Sequence, residues 1–229
     1  MKKILFFVLL AVTLFSCKNN EANFESANPN AAYFYPWDTI PKIYLYRDVA
    51  NGLDEQFHRV YTIKDSEGDH IIVEIYSMDG RIIEALNFNT DSLDVMDHMI
   101  VDRSGEKTKA EVFKTGYIPF NKSDETWFAT RFPGVLDSTL ILKEVKRKID
   151  QITQHEVLGK QVETLITKDK LRMTSFNPFT KMENAHEIDV TSYFAKGYGL
   201  VEWHSASKKA HYRLEQVLSQ EDWIKIMAR

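Results

Sequence analysis

The sequence predicts a mainly β domain, an antiparallel meander that forms a curved sheet or an incomplete barrel with one or two short helices. Runs rich in β-branched and aromatic residues recur along the chain, and turn signals separate them. Asp79-Gly80 lies between two such runs, and Asp-Gly in that position is the strongest short-range hairpin signal because both central residues of a type I′ turn have positive φ. Alternation of apolar and polar residues near the C-terminus indicates a sheet with one solvated face.

The predicted strands of the first half follow one another closely, as a meander requires. Their turn signals are Asn51-Gly52, the segment 65–68, Asp79-Gly80 and Ser104-Gly105. The predicted strands cover residues 41–46, 57–63, 71–76, 81–88, 99–103 and 109–113.

The second half continues the pattern, with one segment that fits two structures. Residues 161–167 are expected to turn at Lys168-Asp169 into a strand at 171–174, and residues 199–205 are expected to pair with 210–217. The segment 140–152 fits either a strand or a helix, because its isoleucines and valine also recur at helical spacing. Ser219 is a credible N-cap for a short C-terminal helix, with acidic residues in its first turn.

The N-terminus resembles a bacterial lipoprotein signal peptide that ends at Cys17. A basic start at Lys2 and Lys3 precedes an apolar run over residues 4–14, which is too short to span a hydrocarbon core comfortably. The tetrad Leu14-Phe15-Ser16-Cys17 resembles the lipobox, although Phe15 departs from the small or β-branched residue usual there. A plain secreted protein is the alternative. The resemblance implies cleavage after residue 16 and a diacylglycerol plus an N-acyl chain, such as palmitate, on Cys17.

The signal defines three regions and a compartment. We expect a signal peptide at residues 1–16, the lipidated cysteine and a flexible tether at 17–31, and a single β-rich domain at 32–229. Since Cys17 is the only cysteine, stability must come from a packed core. Lys18 is not the Asp that retains lipoproteins in the inner membrane of enteric-type bacteria, so the resemblance implies the outer membrane of a Gram-negative envelope, on its periplasmic face or at the cell surface.

Charge and motifs argue against several classes of function. Without Lys2 and Lys3 the chain keeps 27 basic residues against 33 acidic ones, so attraction to nucleic acid is not expected. The histidines lack the spacing of a local metal site, and Asp94, Asp97, His98 and Asp102 are more typical of a solvated turn. No G-x-S-x-G motif is present. We therefore expect no enzyme activity, no metal and no cofactor beyond the lipid on Cys17.

A short motif near the C-terminus carries a second resemblance. The run from Gly197 through Gly199, Leu200 and Val201 resembles the Gly-x-Gly-Leu-Val strand of the TapB-type domain of unknown function, over about residues 140–218. That family is related in fold to the LolA and LolB lipoprotein carriers, which implies an incomplete barrel with a hydrophobic concavity and helices across its opening. Independently, glycines in a strand indicate a bulge or a close backbone approach.

Two functions from different classes follow. The first is a noncatalytic binding module for a hydrophobic ligand or an envelope component; the second is a structural subunit of an envelope protein complex that binds by strand addition. In both, the lipid attaches the protein to the membrane. Residues predicted to contact a ligand or partner are the aromatic cluster Tyr33, Phe34, Tyr35 and Trp37, together with Trp203. Packing of that cluster into the core is the alternative.

Overall fold

The protein folds as a closed, twelve-stranded antiparallel barrel. The computed structural model describes residues 26–102, 104–134 and 139–228. Consecutive strands pair in order, and the first strand pairs with the last, so the sheet has no edge strand. The strands are β1 Lys42–Asp48, β2 Glu55–Asp65, β3 Gly68–Ser77, β4 Ile82–Asn89, β5 Val95–Val101, β6 Lys107–Thr115, β7 Glu125–Pro133, β8 Leu140–Val157, β9 Lys160–Asn177, β10 Met182–Ala195, β11 Gly199–Ser205 and β12 His211–Ser219.

The mainly β prediction is confirmed, and the prediction of an open sheet or incomplete barrel is wrong. Closure depends on β1 and β12, which pair from Lys42 with Ser219 to Asp48 with Tyr212. The end of β1 at Asp48 and the start of β12 at His211 are 163 residues apart in the sequence, and nothing local in either strand predicts the pairing. Between residues 26 and 228, in the part that the structure describes, helical structure is limited to a 3-10 helix, Ala31–Tyr33, and to α1, Gln220–Met227. Within the described residues, no helix is both long and apolar enough to cross a membrane.

The turn signals of the first half are confirmed, whereas the sequence left β8 undecided and interrupted β9 with a turn that the structure does not contain. Asp79-Gly80 joins β3 to β4 as predicted, with Gly80 at φ 77°. The segment 140–152 is a strand throughout, as part of β8. The turn predicted at Lys168-Asp169 is wrong, because β9 continues through it and pairs with β8 and β10 on either side.

Alternation along β1 separates the barrel interior from a patch on its outer face. Tyr44 and Tyr46 belong to the main core, whereas Ile43 lies in a smaller outer cluster with Phe57. Trp223 of α1 covers this cluster, with its ring centroid 4.9 Å from that of Phe57. The helix begins as predicted, since the Ser219 hydroxyl accepts the backbone N–H of Asp222 at 3.1 Å.

The segment before β1 closes one end of the barrel, which we call the capped end. Asn28 donates from Nδ2 to the carbonyl of Ile118 at 3.0 Å, and Asn30 donates to that of Pro119 at 2.7 Å. Both asparagines are buried. The composition predicts a flexible tether as far as residue 31, but residues 26–31 pack on the barrel because these two side chains satisfy loop carbonyls. The rest of the predicted tether lies outside the described residues, as do Cys17 and the predicted signal peptide.

Aromatic side chains from the same segment fill the interior next to the capped end. The ring of Phe34 lies 5.0 Å from that of Phe88, and the ring of Tyr35 lies 5.0 Å from that of Tyr44. Both contacts are edge-on, the arrangement that aromatic pairs prefer. This part of the barrel is therefore a packed core to which the N-terminal segment contributes.

Gly199, the first residue of β11, makes the close backbone approach that the sequence predicts. Its φ is 82°, and a Cβ at this position would lie 2.7 Å from Cγ of Tyr35. Gly197, in the preceding turn, has a similar φ of 77° but open space where its Cβ would be. A substitution at Gly197 would therefore cause backbone strain alone, whereas one at Gly199 would cause both backbone strain and steric overlap.

We predict that Gly199→Ala destabilises the protein by about 2 to 5 kcal/mol, the sum of a left-handed backbone cost and an overpacking cost. Gly197→Ala should cost about 1 to 2 kcal/mol, because it carries only the first term. Urea unfolding of both variants measures the difference. Equal losses would contradict the packing of Tyr35 against Gly199.

Candidate functional site

The barrel interior changes character along its length. Next to the capped end the inward side chains are fully buried, as for Phe88, Phe128 and Phe194. Farther along, inward side chains on several strands are only half-buried, and strand register places them on the inner face. We call this region the open half; its apolar wall includes Ile75, Ile100, Phe132, Ile141, Met173 and Ile188.

A salt bridge crosses the barrel within the open half. Lys143 Nζ on β8 lies 2.8 Å from Oε2 of Glu84 on β4, although three strands separate β4 from β8 in the sheet. His98 Nε2 lies 2.8 Å from the same oxygen, and its Nδ1 lies 3.3 Å from the Thr130 hydroxyl. We call Glu84, His98 and Lys143 the floor. The side chains of Lys143 and Glu84 keep 21% and 16% of their surface exposed, whereas His98 is fully buried.

The environment keeps the Glu84 carboxylate ionised. Burial alone would raise the pKa of Glu84, but the charge of Lys143 and the hydrogen bond from His98 outweigh it and hold the pKa well below its ordinary value of 4.5. The pair of Glu84 and Lys143 therefore carries one charge of each sign and no net charge.

A second polar group connects the N-terminal segment to β11. The hydroxyl of Tyr35 lies 2.9 Å from Nδ1 of His58 and 3.1 Å from the hydroxyl of Tyr46. Tyr46 donates to the Leu200 carbonyl at 2.6 Å. β11 pairs with β12 only along Glu202–His204, so the Leu200 carbonyl has no partner on β12. The Tyr46 hydroxyl supplies the hydrogen bond instead. Burial lowers the pKa of His58 to about 3, against a weak opposing effect of the Glu84 charge, so its imidazole is neutral at neutral pH.

A third polar group is fully enclosed. Arg147 donates from Nε and Nη2 to both oxygens of Asp169, at 2.9 and 2.8 Å, and both side chains are buried. The hydroxyls of Thr167 and Ser192 complete the acceptor capacity of Asp169. Because its partners are all internal, this ion pair holds strands together and presents little to a ligand.

The aromatic residues predicted to bind a ligand lie in two environments. Tyr33, Phe34 and Tyr35 are buried in the core, and Trp37 packs against that core half-buried. Trp203 faces the interior, stacked on Tyr212 at 4.9 Å, and keeps part of its surface exposed. A ligand role for any of the five stays a prediction, and the exposed edge of Trp203 makes it the candidate nearest the open half.

Sequence reasoning missed Glu84 and Lys143 as members of a site. Each is a charged residue at the apolar parity of its strand, since Glu84 alternates with Leu86 and Lys143 alternates with Val145. Nothing in the chain links two positions 59 residues apart. His98 was grouped with Asp94, Asp97 and Asp102, but it points inward while Asp97 forms an ion pair with Lys109. In the described part of the chain, no three His, Cys, Asp or Glu side chains are arranged to hold a metal ion.

A groove also runs along the outer face of β6 to β10. It has a volume of about 520 Å³, and Arg131 and Glu111 form an ion pair on its wall. Arg172 and Glu183 lie 3.8 Å apart at its edge. Its apolar lining comprises Phe113, Leu140, Leu142 and Phe176.

Comparisons with known proteins give no family. No family model matches the chain, so the TapB-type resemblance stays a prediction, and no curated protein matches it. A "putative lipoprotein" from Parabacteroides distasonis is similar in structure, with 10% identity and a TM-score of 0.48. A "putative exported protein with YmcC-like fold" from Bacteroides fragilis is 10% identical, with a TM-score of 0.39. Each structural match covers 81% of this chain and 98% of the matched chain. Neither likeness carries a functional argument for this chain.

We predict that His58 makes the protein acid-labile. Its pKa is about 3 in the folded state and near 6.5 in the unfolded chain, so between those values the unfolded chain binds more protons and stability falls as pH falls. His58→Gln should flatten the dependence of unfolding free energy on pH between pH 6.5 and 5, above the range of ordinary carboxyl groups.

Urea unfolding over a pH series measures this slope, and His186→Gln, at an exposed histidine, is the control. A slope that persists unchanged in His58→Gln would contradict the buried neutral imidazole.

Proposed function

We propose that this protein is a lipid-anchored envelope protein that binds an apolar or amphipathic ligand in the open half of its barrel. The observation that supports it is the half-buried apolar wall around the cross-barrel pair of Glu84 and Lys143. Protein interiors are normally close-packed, so inward aliphatic side chains that keep exposed surface have contacts left to make. A concave, mostly apolar surface with a few polar groups is the usual form of a small-molecule site.

The proposed anchor would attach the protein to the membrane through its capped end. Ser26 hydrogen-bonds to the Asp91 carbonyl in the β4–β5 loop, which lies at the capped end. Eight residues lie between Cys17 and Ser26, and the nine Cα-to-Cα steps from one to the other span at most about 30 Å. A lipid on Cys17 would therefore keep the capped end within about 30 Å of the bilayer. An outer-membrane location, on either face, follows from the lipobox resemblance and belongs to the proposal.

We propose binding rather than catalysis, with no cofactor besides the lipid. Both imidazole nitrogens of His98 form hydrogen bonds, one with Glu84 and the other with Thr130. The carboxylate of Glu84 is ionised and bound to a cation, which makes it a weak proton donor or acceptor near neutral pH. These groups suit recognition of a polar head better than proton transfer.

A second candidate function is assembly with an envelope protein through the outer groove of β6 to β10. Phe113 is 43% exposed there, beside Leu142 and Phe176, and the arginines and glutamates on the wall could form a polar rim. Docking there would leave the open half free.

We predict that the Cys17→Ser protein, freed of its lipid, binds a fluorescent acyl probe. Ile188→Trp should weaken binding at least about tenfold, because an inward indole fills the open half. Glu187→Trp is the matched control, since this neighbouring residue is exposed on the outer face and should bind normally. Fluorescence titration measures the three affinities. No binding by the unmutated domain, together with no copurified lipid, would refute ligand binding and favour assembly.

We predict that Cys17 carries the lipid. Mass spectrometry of the N-terminal peptide should show diacylglycerol and an N-acyl chain, and Cys17→Ser should move the protein from the membrane to the soluble fraction, because two or three chains are needed for stable anchoring. Asn19→Ala, which lies outside the lipobox tetrad and keeps Cys17, serves as a control. An N-terminal peptide that begins at Cys17 and carries no acyl groups would exclude lipid anchoring.

A further inference from the structure

The floor offers a ligand both a donor and an acceptor. An ammonium group has three N–H donors, and Lys143 directs its bonds within the barrel to the two oxygens of Glu84. A carboxylate has about four acceptor sites, and among the described residues Glu84 accepts hydrogen bonds from Lys143 and His98 alone. Since both side chains remain partly exposed, each keeps capacity that faces the open half.

The charge balance of the floor restricts what can bind there. The pair of Glu84 and Lys143 is already neutral, so an anionic head group would add an uncompensated negative charge beside the ionised carboxylate of Glu84. Among apolar walls such a charge is costly, because little water remains to solvate it. A head group with hydroxyl or amide groups brings hydrogen bonds to both Glu84 and Lys143 and adds no charge.

We infer that the open half selects a nonionic acyl-chain amphiphile, whose hydroxyl or amide head binds between Glu84 and Lys143, and that it discriminates against free fatty acids. This inference rests on the proposed function and adds the chemical class of the ligand. The acyl chain lies along the apolar wall, in contact with residues such as Ile141 and Met173. Glu84 sets the selectivity, because it cancels the charge that would otherwise attract a carboxylate.

The test compares two ligands with the same chain and different heads, on the Cys17→Ser protein at pH 8, where a free fatty acid is ionised. Monopalmitoylglycerol and palmitate each compete against a neutral fluorescent acyl probe. We expect monopalmitoylglycerol to bind at least about tenfold more tightly than palmitate, as placing like charges side by side is costly in a low-dielectric site.

Charge variants of the floor make the test specific. Glu84→Gln keeps the shape of the side chain and leaves Lys143 uncompensated, so palmitate should become the tighter ligand. Glu84→Gln combined with Lys143→Gln restores neutrality and should restore the preference for monopalmitoylglycerol. Because the double variant buries no unpaired charge, it keeps the test valid if Glu84→Gln alone unfolds, and circular dichroism checks the fold of each variant.

The outcomes separate the two proposals. If palmitate binds the unmutated floor as tightly as monopalmitoylglycerol, or if neutralising Glu84 leaves the ranking unchanged in a folded variant, the inference about the head group is overturned while acyl binding stands. If no acyl ligand displaces the probe and the probe itself does not bind, the proposed function fails and the inference fails with it.

Discussion

Closure of twelve strands into one barrel encloses more space than strand side chains fill. A barrel of about eight strands is just wide enough for its own side chains to pack the interior, and wider barrels contain cavities, channels or plugs. Here the N-terminal segment supplies the missing material at one end, where Phe34 and Tyr35 complete the core. The segment does not extend its packing to the whole interior, and the inward side chains beyond it keep exposed surface. The division into a packed half and an open half therefore follows from barrel width and the short length of this segment.

The interior holds polar groups in three different ways, according to how much water reaches them. Arg147 and Asp169 are buried together and saturate each other with the help of neighbouring hydroxyls. His58 avoids the cost of a buried charge by staying neutral between tyrosine and glutamine side chains. Glu84 and Lys143 keep both charges and part of their exposure. Only this last arrangement combines charge with access, which is why the pair is the centre of the candidate site.

Local chemistry explains which parts of the fold were predictable. Turn signals such as Asp79-Gly80 and the cap at Ser219 depend on a few adjacent residues, and both were predicted correctly. Barrel closure depends on two strands at opposite ends of the chain, so it was missed. Asp169 looked like a turn residue because an acidic side chain inside a strand is unexpected unless its partner, Arg147, is known. The cross-barrel pair was hidden for the same reason: its members meet only after the sheet has closed.

The continuity of the N-terminal segment with Cys17 has a mechanical consequence. If the cysteine is anchored and the domain is pulled away from the membrane, tension passes along the N-terminal segment. It acts on the hydrogen bonds of Ser26, Asn28 and Asn30 to the loops of the capped end. Extraction of this segment would withdraw Phe34 and Tyr35 from the core and empty the packed half. The segment that leads to the anchor also supplies side chains to the core, so a force on the lipid would act on the packing inside the barrel.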